Sequence, residues 1–283
     1  MSIPSTTSTF ATLVPWPAYR LIKGWLMRIV VTGGQGLLGT EVVRRLEARG
    51  ATTTSASRRT GVDLATGAGL EAALHGADCV IHAAVNHWRH RTVNLGGTRR
   101  LINILADQPA PPHIVYISIV GCDRSPFRYY RAKHASELVL ERSKLPVTVV
   151  RATQFHTLVA TVARVVTRGP LGFVPRGMSF QPCDHRWVAA EIADLALGLA
   201  PSGYHRAADL AGPERVSLAD AAAFIRAEKG KPAPRLITFP PVGGTLRAYE
   251  AGVNLPGPDV KIGGSSFRGF WMAAQSGAAP VRQ

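Results

Sequence analysis

The sequence predicts an α/β fold, a doubly wound parallel sheet with helices on both faces and a smaller C-terminal lobe. Three observations carry this expectation. Short β-branched runs alternate with amphipathic helical stretches through the first 160 residues, the pattern of right-handed strand–helix–strand crossovers. The first run, Arg28-Ile29-Val30-Val31-Thr32, stops at a glycine cluster, after which Leu38, Val42, Val43 and Leu46 recur at helical spacing, so it reads strand, tight turn, helix. The chain of 283 residues, 46% hydrophobic and 18% charged, is long and apolar enough for a sizeable core in one large or two closely joined domains. The expected division is residues 1–26 as a loosely ordered extension, 27–160 as the ligand-binding α/β domain and 161–283 as the smaller lobe.

Composition narrows the partners. A net charge of +15 attracts anionic substrates or cofactors, nucleic acid or a membrane surface. The Lys and Arg residues are scattered, and no helix-turn-helix, zinc-finger or RNA-binding signature accompanies them, so nucleic acid is not an expected partner. No apolar run reaches the roughly 18 residues that span a bilayer. Cys79, Cys122 and Cys183 lack C-x-x-C spacing, which suggests neither a disulfide framework nor a metal site. A reducing cytoplasm is the simplest compartment.

Residues 1–26 are rich in Ser and Thr, carry no acid and precede Met27, which stands where the first strand begins. They read as an extension or as an upstream start. A membrane-surface segment through Trp16, Tyr19, Arg20, Lys23 and Trp25 is the alternative, and the stretch lacks the apolar core of a secretory signal.

The stretch from Thr32 to Gly39 then suits a pyrophosphate. Gly33 can turn with positive φ, Gly36 lets backbone N–H groups come close, and Gly39 lets the helix pack tightly on the strand. Thr32, Gly33, Gln35, Gly36, Leu37, Leu38 and Gly39 are therefore candidate cofactor contacts at a helix N-terminus. The second strand, Ala51 to Ala56, ends in Ser57-Arg58-Arg59 with no acid. At that place an acid suits the 2′-hydroxyl of NAD and arginine the 2′-phosphate of NADP, so Arg58 and Arg59 favour NADP(H) over NAD(H). Asp63 and Leu64 follow, placed to approach the adenine.

The third strand runs from Asp78 to Ala84 and closes with Ala83 and Ala84, small enough to admit a ribose. Within it, His82 reads as a hydrogen-bonded core residue. Asn86, His87 and Trp88 open a polar, aromatic loop at the carboxyl edge of the sheet, where ligands bind in such folds, and are candidate substrate contacts. A helix over 92–107 and a strand from His113 to Ser118 precede the loop that carries Tyr129 and Lys133. These two are four residues apart and share a helical face. An ammonium beside a phenol lowers its pKa from about 10 towards a usable acid.

TGGQGLLG, HAA, VNLGGTRRL and YISIVGCDRSPFRYYRAK together resemble the short-chain dehydrogenase/reductase superfamily. Its extended and atypical branches, which include NmrA-like NAD(P)-binding proteins, are the most similar. The resemblance covers residues 27–160 well and the rest loosely, with AGPE at 211–214 similar to a segment of the C-terminal lobe. It implies that Tyr129 is the catalytic acid and that Lys133 lowers its pKa and holds the nicotinamide ribose. It also implies that Gln154, Phe155 and His156, after the strand Val147 to Arg151, border the substrate. Many relatives end the strand before the tyrosine in two hydroxyl residues, the second polarising the substrate carbonyl. Here that pair reads Ser118-Ile119, so Ser118 must stand in or the bond is lost. The implied activity is NAD(P)H-dependent hydride transfer to or from a small carbonyl, alcohol or activated alkene, by a monomer or homodimer. The alternatives are a non-catalytic NAD(P)-responsive regulator and an epimerase or dehydratase with tightly held cofactor. The expected sheet order is 3-2-1-4-5-6.

Overall fold

The β-branched run Arg28–Thr32 forms β1 at the interior of a parallel sheet in a computed structural model that describes residues 27–86, 89–167 and 171–275. The expectations for residues 1–26, His87 and Trp88 lie outside the described residues. From β1 the chain follows α1 (Leu37–Glu47), β2 (Thr52–Ala56), α2 (Leu70–Leu74), β3 (Cys79–His82), α3 (Gly96–Ala106), β4 (His113–Ile119), α4 (Arg128–Arg142), β5 (Val147–Ala152) and α5 (His156–Val166). Beyond these come β6 (Leu171–Pro175), β7 (Ser179–Phe180), α6 (His185–Leu197), β8 (Tyr204–Arg206), β9 (Asp209–Ala211), β10 (Val216–Ser217) and α7 (Leu218–Ala227). The last are β11 (Arg235–Phe239), α8 (Gly243–Glu250), β12 (Val260–Ile262) and α9 (Phe267–Gln275).

The sheet runs β12-β9-β5-β4-β3-β1-β2, with β8 also paired to β5, and all its pairings are parallel. This corrects the expected order 3-2-1-4-5-6, since β1 lies between β2 and β3 and β2 is the edge. The expected third strand is present as β3, on the other side of β1, and the loop that follows β2 closes on itself. Asp63 N donates to Ala68 O at 3.0 Å and Gly67 N to Asp63 O at 2.7 Å, while Asp63 Oδ1 accepts from Ala65 N at 2.8 Å. A turn that satisfies its own backbone has no ladder left to offer.

Alternation along the strands sends side chains to two cores. Ile29, Val31, Val115 and Ile117 meet Leu38, Val42 and Leu46 of α1 and Val188 and Ile192 of α6. Val30, Val80, Ile114 and Tyr116 meet Leu70, Leu101, Leu105 and Leu140 on the opposite face. A third core gathers Val159 and Ala163 of α5, Phe180, Leu218 and Ala222 of α7, and Phe267. The chain beyond residue 160 is thus shared: α6, β8, β9 and β12 complete the main sheet and its core, while α7 and α9 pack against α5. The carboxyl ends of β1 to β5 point to one edge, where Gly33, Ala56, Ala83, Ile119 and Ala152 border a common cavity.

Candidate functional site

That cavity has a volume of about 960 Å³. Its floor at one end is the turn from β1 into α1. Gly33 has φ 71°, and a Cβ there would sit 2.7 Å from Ala84 Cα. A Cβ on Gly39 would lie 2.2 Å from Gly33 O and 2.7 Å from Gly34 Cα, so the helix approaches the turn as only glycine allows. α1 starts with no side-chain cap on its first turn, which leaves N–H donors and the positive helix end for an anion. Gly33, Gln35, Gly36, Leu37, Leu38 and Gly39 line the cavity, as do Asp63, Leu64, Ala83, Ala84 and Asn86. This cradle fits a dinucleotide pyrophosphate on geometry internal to the chain.

Thr32 is the exception among the glycine-turn candidates. It is fully buried behind the loop, with Oγ1 2.7 Å from His82 Nδ1, and it supports the strand ends without lining the cavity. His82 Nε2 lies 3.0 Å from Thr98 Oγ1, which in turn donates to Asn94 O at 2.7 Å. Both ring nitrogens are occupied, and burial pushes the imidazole down to about 3. His82 is a neutral structural residue.

Arg58 opens a short 3-10 turn over Arg58–Thr60, pinned by Ser57 N donating to Thr60 Oγ1 at 2.9 Å. Arg59 Nε donates to Gln35 Oε1 at 2.6 Å and Ser57 Oγ to the same oxygen at 2.8 Å. Both arginines border the cavity. The Arg59 guanidinium donates to the neutral Gln35 side chain and backbone oxygen, neither of which cancels its charge. The nearby Asp63 carboxylate accepts from Ala65 N inside its own turn.

Tyr129 and Lys133 are both buried on α4 and both border the cavity. Lys133 Nζ donates to Ile117 O and lies 4.5 Å from the centre of the Tyr116 ring. Burial pulls the ammonium down to about 8. The expected depression of the Tyr129 phenol is corrected: burial raises it above its ordinary value, and the Lys133 ammonium is directed at Ile117 O and the Tyr116 face. Ser118 and Ile119 also border the cavity. Ser118 Oγ is 3.6 Å from Cys122 Sγ, which donates to Glu137 Oε1 at 3.3 Å. Glu137 receives Arg151 Nε at 2.9 Å and Nη2 at 2.6 Å, and Arg151 Nη1 reaches Asp123 at 3.0 Å. Burial alone would raise the Glu137 carboxyl, but the Arg151 guanidinium together with hydrogen bonds from Ser118 and Cys122 holds it below its ordinary value.

On the far wall, Gln154 and Phe155 border the cavity and His156 does not. α5 explains the difference by its period. Thr157, Leu158, Thr161 and Val162 face the cavity, whereas His156, Val159, Ala160 and Ala163 are buried, at the i, i+3, i+4, i+7 spacing of the opposite stripe. His156 Nε2 lies 3.0 Å from Ser265 O, with Phe267 and Phe270 against the ring. Burial lowers its pKa to about 4, so the substrate assignment of His156 is corrected to a packing role. The alternation was legible in the sequence; its sign was not.

Sequence reasoning passed over Tyr130, Tyr249 and Asn254. Gln154 Nε2 donates to Tyr130 Oη at 2.9 Å, and Tyr130 Oη is 3.3 Å from Tyr249 Oη. Asn254 Nδ2 donates to Gln154 Oε1 at 3.4 Å and to Ser179 O at 2.9 Å. These partners lie up to 119 residues apart in the chain, so no local pattern announces them. Among the described residues no cluster of three or more His, Cys, Asp or Glu could hold a metal ion, and no helix is long and apolar enough to cross a membrane.

Solved structures share this architecture. UDP-glucose 4-epimerase of Thermus thermophilus, in complex with NAD, is 20% identical with a TM-score of 0.63, over 90% of this chain and 100% of that one. The dTDP-glucose 4,6-dehydratase of Bacillus anthracis, also with NAD, is 13% identical with a TM-score of 0.63, over 88% and 96%. NADPH-dependent quinone oxidoreductase of Escherichia coli, with NADPH, is 19% identical with a TM-score of 0.57, over 75% and 78%. Identities this low speak for the fold alone, and no curated protein sequence matches the chain significantly. The model of the NAD(P)H-binding family matches residues 33–176, which is half of the chain and holds the glycine turn, both arginines, Tyr129 and Lys133; the chain belongs to that NAD(P)H-binding family.

Proposed function

We propose that the chain is an NADP(H)-dependent oxidoreductase of the short-chain dehydrogenase/reductase type, acting on a small carbonyl, alcohol or activated alkene. The supporting observation is that one cavity joins the glycine turn and the two arginines to Tyr129 and Lys133. Gly33 to Gly39 hold the pyrophosphate, Arg58 and Arg59 the 2′-phosphate, Asp63 and Leu64 the adenine side, and Ala83 and Ala84 make room for the ribose. The nicotinamide supplies or accepts a hydride when bound. The C-terminal lobe, drawn from residues 161–283, covers the substrate.

Tyr129 is the proton donor. Its raised pKa keeps the phenol protonated at neutral pH, which suits an acid in the reductive direction. Lys133, with a pKa near 8, is mostly charged at pH 7 and contacts the ribose. Ser118 orients the substrate oxygen, fixed by the Cys122, Glu137 and Arg151 chain behind it. Ile119 supports a second reading, because an aliphatic side chain at the cavity wall cannot polarise a carbonyl: a cofactor-responsive regulator of the NmrA-like branch.

NADPH oxidation by the parent and Tyr129→Phe proteins on one carbonyl panel, with cofactor affinity measured alongside, separates the two. The enzyme reading expects about 10²- to 10⁴-fold slower turnover with cofactor affinity unchanged. Equal rates remove Tyr129 from the chemistry, and tight cofactor binding without turnover of any panel member favours the regulator.

A further inference from the structure

The two ends of the cavity differ in charge. Arg58, Arg59, Asp63 and Arg89 border it from the segments that follow β2 and β3. From Ile117 onward, Lys133 is the one charged residue among the described residues that line it, and its Nζ donates to Ile117 O. The rest of that wall is aliphatic or aromatic, as with Ile119, Phe127, Leu158, Val162, Met178 and Phe180, or it carries neutral hydroxyl and amide groups. An ionised carboxylate or phosphate moved from water to such a wall loses its hydration and finds no cation beyond Lys133, which is already engaged by Ile117 O and, on the proposed reading, by the ribose, so burial there is unfavourable. A neutral apolar body meets no such penalty and gains from burial.

The polar groups on this wall are arranged to donate. Asn254 Nδ2 donates to Gln154 Oε1, which fixes the carboxamide and turns its nitrogen towards Tyr130 Oη at 2.9 Å. Tyr130 Oη therefore accepts from Gln154, and its own proton is left for the Tyr249 oxygen at 3.3 Å or for an oxygen entering the cavity. Resting on the reading that the cofactor takes the glycine and arginine end, we propose that the substrate is an uncharged, largely apolar carbonyl compound whose oxygen is received by the tyrosine hydroxyls. Nucleotide sugars, which the names of the epimerase neighbours specify, carry a diphosphate for which this wall offers only Lys133, whose ammonium is held by Ile117 O and, on this reading, by the cofactor ribose.

The test is calorimetric binding to the full chain saturated with NADP⁺, using 2-acetylnaphthalene, its 6-carboxylate and UDP-glucose as probes. The neutral ketone should bind at least tenfold more tightly than the carboxylate, and UDP-glucose more weakly than the ketone. Leu158, 44% exposed at the cavity rim, can be changed to arginine without opening the core. Leu158→Arg, which adds a cation to this wall, should raise carboxylate affinity about tenfold relative to that of the ketone. Carboxylate or UDP-glucose affinity equal to or above that of the ketone overturns the proposal, as does failure of the ketone to bind or an unchanged ratio of carboxylate to ketone affinity in Leu158→Arg. Because the readout is binding, ketone binding without NADPH oxidation would sink the oxidoreductase reading alone. Better turnover of the carboxylate would sink the substrate class alone.

Discussion

Replacing Arg58 and Arg59 together by alanine should abolish a preference for NADP⁺ over NAD⁺. On the proposed reading a phosphate is met at this corner. Arg59 is held by Gln35 Oε1 at 2.6 Å, Ser57 Oγ shares that oxygen at 2.8 Å, and the local turn is closed by Ser57 N on Thr60 Oγ1 at 2.9 Å. A hydrogen bond to a charged group is worth about 1.5–3 kcal/mol, and both guanidiniums are exposed, so the lower figure applies. One such contact gives roughly tenfold in affinity, and two weaken together in salt because exposed charges are screened over about 10 Å at 0.1 M. The parent should therefore bind NADP⁺ at least about tenfold more tightly than NAD⁺ at low ionic strength, and less so at high. The double variant should bring the two affinities within about twofold, chiefly by losing NADP⁺. Arg59→Lys should keep part of the preference, since charge survives while the planar fork is lost. Isothermal titration of both oxidised cofactors into the three proteins measures this. Equal affinities in the parent, or a preference that persists in the double variant, would refute the assignment of the arginines.

Gly39→Ala should lose cofactor binding and about 3 kcal/mol of stability, because the new methyl meets the backbone of Gly33 and Gly34; a denaturant melt and a cofactor titration check both, and wild-type behaviour would remove the tight turn from the account. The buried imidazole of His156, with a folded pKa near 4 against an ordinary 6.5, contributes stability that is complete above pH 6.5 and is lost as pH falls towards 4. At about 1.4 kcal/mol per pH unit, the parent should lose about 2 kcal/mol more than His156→Gln between pH 7 and pH 5, read from urea midpoints. An identical loss in both proteins would place the acid sensitivity elsewhere, in His113 or His82.

What the sequence made legible was local. The glycine turn, the arginines after β2 and the Tyr129–Lys133 pair each lie within one short segment, where spacing alone decides which side chains face together. The place of the third strand was not legible, because Cys79–His82 pairs with β1 on the side away from β2, and the side it takes is set by the crossover and not by its own residues. His156 shows a subtler limit. The period of α5 divides its residues into two stripes, yet which stripe is dry depends on Phe267 and Phe270, more than 100 residues on.

The same limit bears on the chemistry at Ser118-Ile119. Read along the strand, an isoleucine at the second position removes a hydrogen-bond donor. In the fold, the donor count at the cavity is set by elements that are remote in sequence. Tyr130 is adjacent to Tyr129, but its hydroxyl is oriented by Gln154 and, through that amide, by Asn254. Those residues sit on the loops after β5 and α8, 100 residues apart in the chain. A missing serine is thus a statement about one strand, whereas polarisation of a substrate oxygen depends on how many O–H groups converge on it. Tyr130→Phe, which leaves the Tyr129 hydroxyl and the cofactor cradle intact, isolates the contribution that the strand alone could not supply.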